Sequence, residues 1–425
     1  MKSILIALFA GIVACAPFQP ASAADAVIYK EKVLWSFGSS ADGRYPSSLI
    51  AMNGVLYGTT SGGGQGCNGN GCGIVFSIDP ATGTEKVLYS FCSKANCADG
   101  AIPAAGLINF KGMLYGTTEI GGAVTSTCSN GCGTVFSFDP STGTETVVYA
   151  FCPQEGCTDG ALPAASLASA GGKLYGTTES GGTQSGGTVF SLVPGTGAEK
   201  VLHSFCSQQN CTDGYVPSAG VIAVHGILYG TTAYGGTASC TGSGCGTVFS
   251  IDPKSGVETV LHSFLGGADG EAPFDGLTNL NGTLYGTTFF GGQPGCLGTG
   301  CGTVFSLDPS TGAESVLYAF CQEQNCADGA LPSAGLIAAK GTLYGTTAYG
   351  GRTGCPQTGN CGAAFSVDPD TGVETVLYAF CSKKNCKDGW GPETSLTAVN
   401  GKLYGTTNQG GAYGYGVVLA LTKTR

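Results

Sequence analysis

Short apolar and alternating runs recur along the chain, separated by turns that are rich in Gly, Pro, Asn and Asp. No stretch carries helical periodicity, so the runs predict strands. The pentapeptide Leu-Tyr-Gly-Thr-Thr keeps the same place in each period, and successive copies lie 54 to 60 residues apart. They begin at Leu56, Leu114, Leu174, Leu228, Leu284, Leu343 and Leu403. Seven copies at this period indicate a repeat architecture.

Each repeat predicts four short antiparallel strands, A to D. In the second repeat these are the Gly-Leu-Ile run at 106–108, then residues 114–118, 133–137 and 147–151. The turn between C and D, such as residues 79–83, contains a Pro that bends the chain and a Gly for positive φ. Seven units of four strands predict an all-β, seven-bladed β-propeller. A β-solenoid is the competing repeat fold, and hairpins of four antiparallel strands fit it badly.

One propeller is expected over residues 24–425, and the N-terminal strand is expected to close it. The blades are predicted at about residues 47–91, 104–151, 164–205, 218–264, 274–320, 333–380 and 393–421. The last unit has strands A, B and C but no D-type run, whereas a D-type run at 33–37 precedes the first strand A. We therefore expect residues 33–37 to pair with residues 417–421 and complete the seventh blade. Closure removes exposed strand edges.

The first 23 residues have the features of a signal peptide. Lys2 supplies the positive charge, residues 4–16 the apolar segment, and Ala21-Ser22-Ala23 a small-residue cleavage site. The apolar segment is too short to cross a bilayer, and no later segment is a transmembrane candidate. A second interpretation is a lipoprotein signal, in which Cys15 becomes the lipid-bearing N-terminus. Both predict export, to the periplasm or the cell exterior.

The repeat also resembles a known family. Leu-Tyr-Gly-Thr-Thr, the following Gly-Gly and Gly-Thr-Val-Phe-Ser-x-Asp-Pro-x-Thr-Gly are similar to the tandem GloVer repeat of choice-of-anchor bacterial surface proteins, over residues 33–425. The resemblance implies export and display, with no settled biochemical activity. The sequence departs from that family by showing no sorting signal after Leu421. A weaker likeness to quinoprotein dehydrogenase propellers rests on the C–D turn alone, because only Trp35 and Trp390 are present.

Apart from Cys15, the cysteines form ten close pairs, and a repeat that lacks one cysteine of a pair lacks both. The pairs are Cys67/Cys72, Cys92/Cys97, Cys128/Cys132, Cys152/Cys157, Cys206/Cys211, Cys240/Cys245, Cys296/Cys301, Cys321/Cys326, Cys355/Cys361 and Cys381/Cys386. Paired loss and export predict disulfides. A zinc site is the alternative, but neither its usual Cys-x-x-Cys spacing nor His partners accompany these pairs.

The position of the pairs predicts which face of the disk they occupy. Five pairs fall in B–C loops and five in D–A loops, and strand polarity places both kinds of loop on one face. All ten bridges are therefore expected to decorate that face. Long loops that are braced on one side indicate the working face of the molecule.

Composition narrows the possible partners. The net charge is −10, and the basic residues are scattered. Nucleic acid is therefore not expected as a partner, because binding phosphates requires a Lys/Arg patch. No cofactor motif is present, so no cofactor or metal is predicted, and the chain is expected to be a monomer.

The titratable residues give little sign of catalysis. His203 and His262 replace the Tyr of strand D and are interpreted as packing residues, and His225 lies in an A–B turn. The Asp of each Asp-Gly turn could cap the turn or surround the axis and hold a cation, and capping is the preferred interpretation. These are Asp42, Asp99, Asp159, Asp213, Asp269, Asp328 and Asp388. Glu119 and Glu179, which follow adjacent Thr-Thr pairs, are a weak candidate for a carboxylate acid/base pair.

The most asymmetric feature is a group of aromatic residues in the later repeats. Tyr234, Phe290 and Tyr349 directly precede the Gly-Gly of their B–C loops, and Trp390 and Tyr413 lie near the same loop of the last repeat. They predict a surface for stacking on a sugar or peptide, with packing beneath glycine loops as the alternative. The preferred function is an extracellular, non-enzymatic binding or structural module for polysaccharide or protein. A secreted polysaccharide lyase or hydrolase with a carboxylate site is the alternative.

Overall fold

The computed structural model describes residues 29–38, 41–67, 71–238, 240, 242–352 and 361–424. It confirms the seven-bladed β-propeller: the strands form seven separate antiparallel sheets, each with one innermost and one outermost strand. The innermost strands of neighbouring blades contact one another, as Ile50–Met52 does with Ile108–Phe110 and with Thr397–Val399, and so surround a central axis. The predicted signal peptide and Cys15 lie outside the described residues.

The strands of the first four blades are short and follow the predicted A to D order, and blade one has in addition a short strand before strand A that pairs with its strand B. Blade one contains β2 (Arg44–Pro46), β3 (Ile50–Met52), β4 (Val55–Gly62), β5 (Ile74–Ile78) and β6 (Glu85–Ser90); blade two contains β7 (Ile108–Phe110), β8 (Met113–Thr118), β9 (Thr134–Asp139) and β10 (Thr144–Ala150). Blade three contains β11 (Ala168–Ala170), β12 (Lys173–Thr178), β13 (Thr188–Val193) and β14 (Ala198–Ser204); blade four contains β15 (Ile222–Val224), β16 (Ile227–Thr232), β17 (Thr247–Ile251) and β18 (Glu258–Ser263).

The last three blades repeat this order, except that blade seven takes its outer strand from the other end of the chain. Blade five contains β19 (Thr278–Leu280), β20 (Thr283–Thr288), β21 (Thr303–Leu307) and β22 (Glu314–Ala319); blade six contains β23 (Ile337–Ala339), β24 (Thr342–Thr347), β25 (Ala363–Val367) and β26 (Glu374–Ala379). Blade seven contains β27 (Thr397–Val399), β28 (Lys402–Thr407), β29 (Val417–Lys423) and β1 (Tyr29–Ser36).

Short 3₁₀ helices occur in the loops of the described residues. They are Ala95–Cys97, Gln209–Cys211, Gly267–Asp269, Cys296–Gly298, Gln324–Cys326 and Lys384–Cys386. Within the described ranges, no helical segment has the length and apolar character needed to span a lipid bilayer.

Ring closure by the N-terminal strand is confirmed. Strand β1 pairs antiparallel with β29, with Val33 opposite Leu419 and Ser36 opposite Val417. The observed strand begins at Tyr29, four residues before the predicted start, and its pairing extends to Lys423. The N-terminal and C-terminal strands therefore lie in one blade. There β1 covers the edge of β29 that would otherwise be unpaired.

The Gly of Leu-Tyr-Gly-Thr-Thr is required by close packing inside each blade. A Cβ atom on Gly116 would lie 2.7 Å from Cζ of Phe136 on the adjacent strand, and Gly58 meets Phe76 in the same way. Only glycine lets the ring cross the neighbouring strand so closely. Blade seven has Leu419 in place of this Phe, and there Gly405 meets Leu396 instead.

Two features of the repeat join neighbouring blades. The Phe that follows strand D is buried against the strand C Phe of the next blade, as Phe91 is against Phe136 with ring centroids 4.9 Å apart. The first Thr of the pentapeptide donates to a main-chain carbonyl of the next blade; Thr117 Oγ1 to Ala165 O is 3.0 Å. These contacts recur around the ring, so the pentapeptide is a structural motif.

The disulfide prediction is confirmed for the nine described pairs, each of which is bonded within its own loop. The tenth pair includes Cys355, which lies outside the described residues. B–C and D–A disulfides of one blade are neighbours: Cys132 Sγ lies 3.8 Å from Cys157 Sγ. The two kinds of loop therefore share one face of the disk, which we name the loop face.

The nine described bridges lie in loops of this face, and the second cysteine of each B–C pair is buried beneath it. Cys245 and Cys361 are 0% exposed, and each belongs to a hydrophobic core cluster. They lie two residues before strand C, so the sheet draws them into the core. The carbonyl of Cys245 accepts from the Ala272 N–H of the next blade, and that of Cys361 accepts from the Gly391 N–H. The equivalent residues Cys72, Cys132 and Cys301 are buried to the same extent.

The two cysteines of a B–C pair therefore have different roles. The second cysteine anchors the loop to the core and to the next blade, whereas its partner holds the loop from outside. Cys245 and Cys361 are therefore structural residues that a ligand on the loop face would not touch.

Candidate functional site: the loop face and the rim

A cavity of about 310 Å³ lies on the axis, between the segments that lead into the inner strands. Its lining consists mainly of Ala, Gly and Ser, such as Ser48, Gly106, Ser166 and Gly220. These small residues are needed because seven backbones converge there. Acidic residues are therefore unusual in this lining.

Asp275 and Glu393 are the acidic residues of this axial cavity among the described residues. Burial raises the pKa of Asp275 to about 7, although a hydrogen bond from the Gly335 N–H opposes this. Burial also raises the pKa of Glu393, and Asn408 Nδ2 donates to its Oε2. Asp275 stands where Ala165 stands in blade three, so the sequence signal that could have identified it is a charge at a small-residue position.

Aromatic side chains form a continuous row in blades four and five. Tyr215 contacts Tyr234 (6.5 Å between centroids), Tyr234 contacts Phe274 (6.0 Å), and Phe274 contacts Phe289 (5.5 Å). Phe289 in turn contacts Phe290 at 4.8 Å. All five rings, which we name the aromatic row, are partly exposed.

The row extends from the braced loops to the axial cavity. Tyr215 lines a cavity of about 500 Å³ together with Asn210, Gly236 and Ser243 of the loop face. In the middle of the row, Phe274 directly precedes Asp275 of the axial cavity. Partly exposed rings next to polar backbone and a carboxyl group are the usual composition of a ligand site.

The structure separates the five aromatic residues that the sequence singles out. Tyr234 and Phe290 belong to the aromatic row. Tyr349 and Trp390 instead pack against buried clusters of the last blades. Tyr413 is 65% exposed and lies at the outer edge of blade seven beside Gly38 and Trp35. The set therefore divides into rings of the aromatic row, rings that pack against buried clusters and one exposed ring at the rim.

Sequence reasoning missed Tyr215, Phe274 and Phe289. Phe274 occupies a position that is Ala or Ser in most repeats, such as Ala104, whereas the positions of Tyr215 and Phe289 vary among the repeats and include Ala101 and Ala348. None of the three directly precedes a Gly-Gly pair. A comparison of every repeat position for an aromatic outlier would have found them.

The carboxylate pair proposed from sequence is close enough to interact. Burial raises the pKa of Glu179, and the nearby charge of Glu119 raises it further. Glu119 follows β8 of blade two, and Glu179 follows β12 of blade three, the blade that adjoins blade four of the aromatic row.

The aspartates of the Asp-Gly turns lie in the D–A loops, where they accept hydrogen bonds. Asp99 Oδ2 accepts from the Ser93 N–H at 2.9 Å and from Tyr89 Oη at 2.8 Å, and its Oδ1 accepts from the Lys94 N–H. Asp328 and Asp388 accept from equivalent partners. Capping of the turn explains these contacts, and the carboxylates lie beside strand D rather than around the axis.

A glutamate from the next blade accompanies each of these aspartates. We name each set of strand D aromatic residue, turn Asp and next-blade Glu a rim triad. The seven are Trp35/Asp42/Glu85, Tyr89/Asp99/Glu145, Tyr149/Asp159/Glu199, His203/Asp213/Glu258, His262/Asp269/Glu314, Tyr318/Asp328/Glu374 and Tyr378/Asp388/Glu31.

Burial and the adjacent Asp raise the pKa of most of these glutamates, to about 7 for Glu85 and Glu199 and about 8 for Glu374. Two triads contain a lysine that opposes this rise: Lys94 pairs with Glu145 at 3.0 Å, and Lys383 pairs with Glu31. These pairs of a turn Asp and a next-blade Glu were not predicted from sequence, because the two members of a pair belong to different repeats.

The two strand D histidines occupy the Tyr position, as expected. His203 Nε2 and His262 Nε2 each lie 3.3 Å from Oδ2 of their turn aspartates. Burial lowers the pKa of His203, while Asp213 partly opposes the shift. His225 has φ 51° in the turn between β15 and β16.

Comparison with known proteins supports the repeat assignment. A family model described as the Gloeobacter/Verrucomicrobia repeat matches residues 120–358 and 234–425. No curated protein sequence matches the chain. The GloVer resemblance drawn from the residue pattern is therefore confirmed.

Solved structures show the same fold. The extracellular domain of a hybrid two-component system from B. thetaiotaomicron is similar with a TM-score of 0.55 and 10% identity, over 94% of this chain and 40% of that one. This chain thus spans less than half the length of that protein. An oligogalacturonate lyase in complex with manganese gives a TM-score of 0.51 and 10% identity, over 94% of this chain and 97% of that one. At such identities, the likeness concerns the fold alone.

Proposed function

The chain belongs to the Gloeobacter/Verrucomicrobia repeat family, and we propose that it is a non-enzymatic extracellular module that binds a neutral polysaccharide. The observation that carries this proposal is the aromatic row beside the axial cavity. The predicted signal peptide and the disulfides of the loop face support an extracellular location, because such bonds persist in oxidising compartments.

The row fits a chain of sugars. Five partly exposed rings in contact give an extended apolar surface, and Tyr215 and Tyr234 add hydroxyl groups that can bond to sugar hydroxyls. Glu271 lies beside the aromatic row, because its backbone pairs with that of Phe290. Stacking on one ring contributes on the order of 1 kcal/mol, so affinity requires several rings acting together.

The negative charge of the protein favours a neutral polysaccharide over an anionic one. The chain has a net charge of −10, and Asp275, Glu271 and Glu393 lie near the row and the axial cavity. An anionic polymer would be repelled by this field. A neutral polysaccharide can instead donate hydroxyl hydrogens to these acceptors.

The short loops braced by disulfides favour binding without reorganisation. A loop that is fixed before the ligand arrives loses little conformational entropy on binding. Disulfides such as Cys206–Cys211 hold the loops beside Tyr215 in this way.

The experiment measures binding of the oxidised chain to a panel of soluble neutral glucans, mannans and xylans by affinity electrophoresis. Replacing Tyr234, Phe274 and Phe290 by Ala is expected to weaken binding tenfold or more, which is about 1.4 kcal/mol. Tyr413→Ala is the matched control, because Tyr413 is exposed at the rim of blade seven, and its binding should equal that of the parent chain.

Two results would contradict the proposal. New reducing ends or unsaturated sugars in the incubated polysaccharide would indicate the lyase or hydrolase alternative, with Glu119 and Glu179 as the first residues to replace. Unchanged binding by the folded triple variant would place the site away from the aromatic row.

A further inference from the structure

Among the seven rim triads, that of His262, Asp269 and Glu314 combines a histidine with a D–A loop that lacks a disulfide. One donor atom from each residue lies within 4.8 Å of the other two, and the three side chains are only partly buried. Four of the other triads place a Tyr at the histidine position and one a Trp. A neutral imidazole and two carboxylates are ligands that divalent transition metals accept in proteins.

The loop that carries Asp269 lacks the disulfide found in five of the D–A loops. Between Phe264 and Asp269 it has four residues and no cysteine pair, whereas seven residues separate Phe205 from Asp213. Asp213 is fully buried and accepts from Ser207 N, Ser207 Oγ and the Gln208 N–H.

Asp269 has fewer donors and more solvent access than Asp213. Its Oδ2 accepts from the Leu265 N–H at 2.7 Å and faces His262 Nε2 at 3.3 Å. Its side chain is 20% exposed, and that of His262 is 18% exposed. An ion can therefore approach from solvent and find unused lone pairs.

Glu314 supplies a second reason for a cation. Its Oε1 is buried and accepts no hydrogen bond from the described residues, a property that it shares with the glutamates of the other triads, so that the histidine and the open loop are what distinguish this site. No Lys or Arg of the described chain forms an ion pair with it, in contrast to Lys94 with Glu145 and Lys383 with Glu31. Two carboxyl groups thus meet in a partly buried site, and neither forms an ion pair with a Lys or Arg of the described residues.

We propose that His262, Asp269 and Glu314 bind one divalent transition-metal ion, with zinc as the probe ion, and that this ion braces the junction of blades four and five where the disulfide is missing. For ligand atoms about 2.1 Å from zinc in tetrahedral geometry, adjacent donors lie about 3.4 Å apart. The 3.3 Å between His262 Nε2 and Asp269 Oδ2 already matches this edge. The remaining distances, up to 4.8 Å, need only a side-chain rotation of Glu314. Water completes the fourth position on the exposed side.

The experiment uses untagged, oxidised protein that has been dialysed against chelator and then equilibrated with buffered Zn²⁺. Elemental analysis is expected to find one tightly held zinc per chain. His262→Tyr should abolish it, and Glu314→Gln should weaken it at least tenfold. His262→Tyr places in this triad the residue that four other triads contain, so the fold is expected to persist.

His203→Tyr is the matched control. Its triad has the same residue types, but Asp213 is sealed by the disulfide loop, so zinc binding should stay at one per chain. Zinc should also raise the melting temperature of the parent chain and of His203→Tyr, but not that of His262→Tyr. If His262→Tyr does not fold, Glu314→Gln decides the result.

Three outcomes would overturn the assignment. The first is no bound zinc at 100-fold molar excess, and the second is retained zinc in folded His262→Tyr or Glu314→Gln. The third is loss of zinc in His203→Tyr, which would move the site to the triad of Asp213. These outcomes are independent of the polysaccharide proposal, because the aromatic row shares no residue with this triad.

Discussion

The rim and the axial cavity differ in how strictly they repeat. Every junction at the rim joins an aromatic residue, an Asp and a Glu, with only the aromatic residue varied. Near the axis, the position of Phe274 is Ala104 in blade two and Glu393 in blade seven. A feature present in all seven blades serves contacts that every blade needs, whereas a feature of one sector is not needed for the ring. The asymmetric surface is therefore the better candidate for ligand binding.

The strongest test of the repeated contacts is removal of β1. A chain that lacks residues 24–38 loses the outer strand of blade seven together with Phe37, which packs on Phe76. We expect no cooperative thermal unfolding, measured by calorimetry. A variant that lacks only residues 24–28 keeps β1 and should unfold like the parent chain. An unchanged melting temperature for the longer deletion would refute closure.

Replacing one aromatic ring in each region compares how much the two regions contribute to stability. Phe136→Ala removes a fully buried ring that contacts Phe91 of the preceding blade. It should lower the free energy of unfolding by about 3–5 kcal/mol, because a cavity remains. Phe274→Ala removes a partly exposed ring and should cost about 1 kcal/mol. Denaturant titrations measure both. Equal losses would show that Phe274 is a packing residue.

Disulfides give an intermediate effect that is confined to the loop face. Replacing Cys206 and Cys211 together by Ser removes a bridge that joins residues five apart in the sequence. The expected loss is about 2 kcal/mol from loop-closure entropy. Hydrogen exchange should quicken in that D–A loop and not in β17 or β18. Faster exchange throughout blade four would show that the bridge stabilises the whole sheet.

The last test concerns the pH dependence that one side chain at the rim gives to stability. Burial, Asp328 and Glu323 raise the pKa of Glu374 to about 8, against 4.5 in the unfolded chain. Between these values the folded state holds a proton that the unfolded state has lost. The free energy of unfolding therefore falls as the pH rises through this window. Glu374→Gln should flatten the decline in melting temperature between pH 5 and pH 8.

Glu155→Gln is the control for that measurement. Hydrogen bonds from Ser126 lower the pKa of Glu155, so its contribution to stability is lost only as the pH falls below about 4.5. Its profile between pH 5 and pH 8 should match that of the parent chain. A Glu374→Gln profile that also matches would show that this carboxyl group is ionised in the fold.

The sequence alone determined the repeat, the strand order, the closure by residues 33–37 and the disulfide pairs, because each depends on neighbours in one repeat or on the count of strands. Gly58 and Gly116 follow the same logic, since each meets a Phe of its own blade. The depth of the cysteines is a different matter: spacing paired Cys240 with Cys245, but only the packed sheet showed that Cys245 lies in the core.

Tertiary structure alone decided which residues meet across blades. The rim triads join Asp269 to Glu314 of the next strand D, and the aromatic row joins Tyr234 to Phe274, over separations that no local pattern records. Tyr234 and Tyr349 occupy the same position in the repeat, but Tyr234 belongs to the aromatic row and Tyr349 packs against a buried cluster. They differ because each packs against a different neighbouring blade.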